Sequence, residues 1–228
     1  MFNRLAPLLF AALAGCSRLV PESPGAPIGA SFDAGPYIAT LIHTLEGRVP
    51  ELHRNPDKDR YKLSLLLISK DARDRRLIPV AANLRANEFL HTARFYGVKD
   101  NVLFFEAGDT RGYDLSSHRL VSGAGAPPRP ISLSRPVART TPIPVANPAG
   151  QLVFSRANTA RLTRQTADGR ILWQVDTTLL DIDQILPAEA HTALIGRPPA
   201  AKPDAFRQPA LILIDNATGA LSAHPLTN

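Results

Sequence analysis

Two pairs of carboxylates, six histidines and one thiol are the residues of this chain whose types could do chemistry. Asp181 and Asp183 lie two apart in Leu179-Leu-Asp-Ile-Asp-Gln184, which would put both on one face of a strand. Paired carboxylates can hold a calcium ion or work as acid and base. Their alternation with Leu180 and Ile182 favours a plainer role, the solvent side of a half-buried strand. Asp57 and Asp59 fall in the charged run Asn55-Pro-Asp-Lys-Asp-Arg60 and are expected to solvate a turn. The histidines at 43, 53, 91, 118, 191 and 224 show no metal-ligand spacing, and His91 and His118 are expected at strand surfaces or turns. Asn216-Ala-Thr218 has the form of a glycosylation acceptor but reads here as turn chemistry. The chain has no Cys-x-x-Cys, no His-Glu-x-x-His, no phosphate-cradling glycine loop and no Gly-x-Ser-x-Gly elbow. No catalytic, cofactor-binding or metal-binding residue is expected, and the chain is not read as an enzyme.

The elements that would carry these residues are constrained by composition. A hydrophobic fraction of 44% and a charged fraction of 20% over 228 residues belong to a globular protein with one sizeable domain or two small ones. The 21 prolines argue against a helical bundle, because each interior proline removes a hydrogen bond and clashes with the preceding turn. The net charge of +6 is scattered, with Arg73, Arg75 and Arg76 the one dense cluster. A nucleic-acid binder would concentrate its charge on a stripe interleaved with aromatics. A solvated surface with some affinity for anionic lipid or glycan fits better.

The thiol is Cys16, the chain's single cysteine. It follows Arg4, a short apolar run from Leu5 to Phe10 and several small residues, the layout of a secretory signal peptide. The apolar run is about half the ~20 residues that span a bilayer. Leu13-Ala14-Gly15-Cys16 resembles the lipobox of bacterial lipoproteins. That resemblance implies that residues 1–15 are removed and that Cys16 is acylated as the new N-terminus. Ser17 in place of aspartate implies sorting to the outer membrane, on its periplasmic face. Each buried acyl methylene would contribute about 0.8 kcal/mol to anchoring. Residues 16–36, rich in proline and glycine, are expected to form a tether.

From about residue 60 an apolar strand, a polar turn and a second short apolar strand recur. The copies align on Asp71, Asp114, Gln165 and Asp215, with Leu77, Leu120, Ile171 and Leu221 six positions on. Spacings of about 40 to 50 residues with paired short strands point to β-propeller blades. Asp168-Gly169-Arg-Ile-Leu172-Trp173 and Asp215-Asn-Ala-Thr218-Gly219-Ala-Leu221 resemble the quinoprotein-like (PQQ-type) propeller repeat. Gly169 and Gly219 are expected to supply the positive φ of tight turns. The fold expected is all-β: about four four-stranded antiparallel blades, partial or open, since four copies cannot close a ring of the seven or eight blades usual in that family. Blades are expected over residues 37–123 and 151–228, joined by a proline-rich linker at 124–150. Asn83 to Phe95 suits either a helix face or an innermost strand from Glu88 to Gly97. Exposed blade faces would leave apolar area in need of a partner.

Trp173 is the chain's single tryptophan, and the adjacent cysteines of the quinone-dependent dehydrogenases are absent, so the resemblance implies a scaffold and no cofactor. The expected function is a non-catalytic envelope lipoprotein that binds another envelope protein, broadly like the propeller lipoprotein of outer-membrane protein assembly. The alternatives are a binding protein or degenerate enzyme for a carbohydrate or other small ligand and, behind it, a quinoprotein oxidoreductase. Nucleic acid is not an expected partner.

Overall fold

A computed structural model describes residues 25–46, 59–121, 127–128, 143–145, 150–156, 160–199 and 207–227. These residues form four antiparallel sheets of four strands each, every sheet a meander in chain order. Sheet 1 holds β1 (Ala26–Asp33), β2 (Tyr37–Glu46), β3 (Arg60–Ser69) and β4 (Arg75–Leu84). A single helical turn, α1 (Ala86–Phe89), leads to sheet 2, with β5 (Arg94–Lys99), β6 (Val102–Ala107), β7 (Asp109–Asp114) and β8 (Arg119–Val121). Sheet 3 holds β9 (Ile143–Val145), β10 (Gly150–Arg156), β11 (Ala160–Gln165) and β12 (Ile171–Asp176). Sheet 4 holds β13 (Asp181–Pro187), β14 (His191–Arg197), β15 (Ala210–Asp215) and β16 (Leu221–Pro225).

The packing order in space differs from the order in sequence. Leu41, Leu63, Leu65 and Leu67 of sheet 1 share one core with Phe95, Leu103, Phe105 and Tyr113 of sheet 2. The alternate residues Ile38, Ile42, Leu66 and Ile68 share another with Ala193, Ile195, Leu211 and Leu213 of sheet 4. Leu194, Ile212 and Ile214 turn the other way, onto Leu152 and Leu162 of sheet 3. The sheets therefore stack in the order 2-1-4-3. Paired bonds between inner strands tie the middle of the stack, with Ser31 N–H donating to Gln184 Oε1 at 2.9 Å and Gln184 Nε2 donating to the Ser31 carbonyl at 2.8 Å. Among the described residues no buried cluster joins sheet 2 to sheet 3. The architecture is an open, propeller-like stack.

Sequence pattern explains which sheets lie inside. Leu65-Leu66-Leu67-Ile68 and Leu211-Ile212-Leu213-Ile214 are buried without a break because sheets 1 and 4 are covered on both faces. In β11, buried Ala160, Leu162 and Arg164 alternate with half-exposed Arg161, Thr163 and Gln165. The outer face of sheet 3 is thus polar, with an Arg161–Asp176 ion pair and Thr163 beside Gln174. Sheet 2 likewise turns Arg94, Glu106 and Thr110 outward. The free end faces are therefore largely polar, contrary to the expected apolar ones, and resemble the capping repeats that end a solenoid in water.

Three further expectations need correcting. The tether of residues 16–36 gives way at Ala26, where β1 begins and pairs with β2. Pro27 and Gly29 hid this strand; β1 is an edge strand, where proline is tolerated, and Gly29, at φ 65°, sits where its register shifts. The linker of 124–150 contains β9, which pairs with β10 and again places a proline, Pro144, on an edge. Finally, the first copy of the repeat aligns two residues early, on Ser69. Ser69 N–H donates to the Asp74 carbonyl across the turn, as Asp215 N–H does to Ala220. Asn83 to Phe95 divides between α1 and the start of β5, with Phe89 buried against Tyr61 and His43.

Candidate functional site

Cys16, His53 and Asp57 lie outside the described residues. The carboxylate pair in β13 does not converge on a common point, because a bulge between Ile182 and Gln184 breaks the alternation. Asp181 pairs with Arg207 at 3.2 Å and Asp183 with Arg197 at 3.8 Å. Asp59 is buried at the start of β3. The arginine cluster disperses to three different partners: Arg73 to Asp71 at 3.8 Å, Arg75 to the Thr227 carbonyl, and Arg76 Nε to Asp74 Oδ2 at 2.5 Å. His91 is exposed just after α1, and His191 opens β14. His43 and His224 are held below the usual histidine range, chiefly by burial; beside His224 the Arg75 charge acts in the same direction. Among the described residues no three His, Cys, Asp or Glu side chains gather to hold a metal ion. No helix among them is long and apolar enough to cross a membrane.

The repeat alignment marks one shared surface feature. Leu77, Leu120, Ile171 and Leu221 lie near the starts of β4, β8, β12 and β16, the fourth strand of each sheet. They are 39%, 38%, 58% and 41% exposed. They were expected to return to a packed sheet face. They remain open because the fourth strand is an edge strand, without a neighbour on its outer flank among the described residues. The turns that deliver them are built alike. Asp215 Oδ1 accepts from the N–H groups of Ala217 and Thr218, and Asp114 Oδ1 from those of Ser116 and Ser117. The Ser116 hydroxyl and then these backbone bonds at Asp114, and the Thr218 N–H first at Asp215, favour the ionised form and hold both carboxyls below their ordinary range, Asp114 at about 2. Gly169 and Gly219 take the expected positive φ, 86° and 77°.

Polar chemistry gathers instead at the joint of sheets 1 and 2. Tyr37 opens β2, Asp74 and Arg76 come from the β3–β4 turn and its exit, Tyr113 lies in β7, and His118 sits in the β7–β8 turn at φ 58°. Tyr37 donates to Asp74 Oδ2 at 3.3 Å, the same oxygen that receives Arg76. His118 stands edge-on to Tyr37, ring centroids 6.2 Å apart. Tyr113 is fully buried, and neither its hydroxyl nor His118 Nδ1 has a hydrogen-bond partner among the described residues. Burial raises the Tyr113 phenol, and Arg76, Tyr37 and Asp74 all act on it electrostatically, so the group is one neighbourhood. Of these five residues only Arg76 and His118 were singled out from sequence. Tyr37, Asp74 and Tyr113 carry no local motif, and only the packing of sheet on sheet brings them together.

A second polar knot closes the joint of sheets 3 and 4. Asn216, read from sequence as a turn residue, is 1% exposed. Its carbonyl accepts from Arg164 at 2.9 Å and from Trp173 Nε1 at 3.0 Å. Its side chain donates to the carbonyls of Ala188 and Glu189 and accepts from Thr192.

No protein-family model matches the chain, and no curated protein matches it. Among solved structures it is similar to the β-propeller domain of the Trilobed protease from Pyrococcus furiosus, a domain with an open velcro topology. The likeness covers 89% of this chain at 7% identity, with a TM-score of 0.29. The chain spans 57% of that chain's length. A score so low adds nothing to what the four sheets show by themselves.

Proposed function

We propose that this chain is a non-catalytic interaction module of the bacterial envelope, held at the periplasmic face of the outer membrane by acylation of Cys16. Its four outer strands would meet another envelope protein. The observation that carries this reading is the recurrence of one exposed aliphatic residue near the start of every fourth strand. An isolated exposed leucine means little, but Leu120, Ile171 and Leu221 hold the same place in three sheets, and Leu77 stands two residues past that place in sheet 1. The same strands offer unpaired backbone donors and acceptors along one flank, which suits strand addition by a partner. The lipobox-like Leu13-Ala14-Gly15-Cys16 supports the anchor.

Two experiments test the two halves. Labelling with radioactive palmitate is expected to mark the wild type and to leave Cys16→Ala unmarked; equal label in both removes the anchor. Photo-crosslinking residues placed at Leu77, Leu120, Ile171 and Leu221 in intact cells are expected to trap a discrete protein adduct. Crosslinker at the polar positions Thr163 and Gln174 serves as comparison. Adducts no stronger at the four aliphatic positions than at these two contradict the partner surface.

A further inference from the structure

We propose that the joint of sheets 1 and 2 is a binding site for a neutral saccharide, formed by Tyr37, Asp74, Arg76, Tyr113 and His118. The first argument is the pair of buried polar atoms left unmatched there. A phenol at 0% exposure without a hydrogen bond is costly, and native structures keep few such groups without a use. Tyr113 and His118 Nδ1 are two of them, on β7 and the turn that follows it, near one part-exposed ion pair.

The second argument is what the set can recognise. Arg76 and Tyr113 donate; Asp74 accepts; the imidazole of His118 does either, depending on its tautomer. A sugar hydroxyl donates and accepts at once, so neighbouring hydroxyls match such a mixed set, while the C–H faces of the ring suit the rings of Tyr37 and His118. An anion fits less well. Asp74 lies on Arg76 at 2.5 Å and neutralises it, so a phosphate or carboxylate would meet a carboxylate together with the guanidinium. The turn on the same side brings a further negative charge, Asp114. Arg76 and Asp74 are each about one-third exposed while the Tyr113 phenol is fully buried, so a sugar reaches that hydroxyl only if the side chains covering it move.

The site is separate from the outer strands and stands or falls without them. The test uses saturation-transfer NMR on the mature-length chain with Cys16→Ser. Cellotriose, maltotriose and triacetylchitotriose are the neutral probes, and citrate and methyl phosphate, both of which carry observable C–H protons, the anionic ones. Saturation is expected to reach the ring protons of at least one trisaccharide and neither anion. Tyr113→Phe removes only the hydroxyl, is expected to fold with an unchanged or raised Tm, and should weaken that saccharide by about tenfold, the factor of one lost buried hydrogen bond. Arg76→Gln, which keeps the fold by leaving the aromatic core intact, is expected to weaken it as well. Transfer to none of the three trisaccharides, transfer to citrate or methyl phosphate alone, or equal affinity in wild type and Tyr113→Phe would each overturn the assignment.

Discussion

The two outer joints of the stack are held together by different physics. Between sheets 1 and 2 aromatic rings contribute: Phe32 of sheet 1 stacks on Phe95 of sheet 2 at 5.7 Å, Phe95 meets Phe105 of its own sheet at 6.2 Å, and Tyr61 of sheet 1 stands edge-on to Phe89 of α1 at 5.5 Å. Polar atoms there are left over. Between sheets 3 and 4 the core is aliphatic, and one asparagine, Asn216, uses its carbonyl and both ends of its amide in five hydrogen bonds. The first joint depends on buried area and shape and tolerates polar change. The second is specified by hydrogen bonds, of which those to Arg164 and Thr192 strand a buried partner when broken.

That contrast breaks most directly at the rings. Phe95→Ala should cost about 3–5 kcal/mol in urea unfolding, through lost burial and the cavity left among Phe32 and Phe105. Next comes Asn216→Ala, expected to cost about 3 kcal/mol because buried Thr192 and two part-buried carbonyls, of Ala188 and Glu189, lose their partner. Tyr113→Phe at the other joint should stay within about 0.5 kcal/mol of wild type, or stabilise, since it deletes a hydroxyl that nothing matches. Equal losses from Asn216→Ala and Tyr113→Phe would erase the distinction between the joints.

Smaller effects sharpen it. Gly169 and Gly219 share positive φ, but a Cβ on Gly219 would meet the Trp173 ring at 3.0 Å while one on Gly169 meets nothing within 4 Å. Gly169→Ala should therefore cost about 1 kcal/mol from strain alone, and Gly219→Ala about 2 kcal/mol. Thermal melts of the two variants separate backbone from packing. The smallest effect is one of pH. Asp114 and Asp215 ionise more readily folded than unfolded, so the stability they give is complete above the ordinary carboxyl value near 3.8. It is lost as pH falls through that value, for Asp114 toward about 2. Asp114→Asn should flatten that acid limb, and Asp215→Asn likewise; an unchanged limb in both would mean these turn bonds do not persist in solution.

Much of the stack was legible in the chain because short-range rules govern it. Asp215 to Gly219 reads as a turn from the carboxylate that bonds the next amides and the glycine that takes φ 77°. The unbroken runs at Leu65–Ile68 and Leu211–Ile214, set against the alternation of β11, hold the information that sheets 1 and 4 lie inside; which outer sheet joins which inner one comes from the shared cores. What escaped depends on distant partners or on residues with two uses. Pro27 and Gly29 look like a tether until β2 is there to pair with them. Tyr113 and Asp74 become neighbours only when sheet 2 lies on sheet 1. Asn216 looks like a turn residue because it is one, and its burial comes from sheet 3.

The openness of the stack can be measured as one distance. Thr110 and Thr163 face outward on the two end sheets, and spin labels at both, in a Cys16→Ser chain, report their separation by electron–electron resonance. Sheets packed face to face lie about 10 Å apart, so with the gap between sheets 2 and 3 open the labels are expected beyond about 20 Å, two such spacings. A distribution centred on a single spacing of about 10 Å would mean that sheets 2 and 3 meet and the ring is closed, contradicting the open end between them.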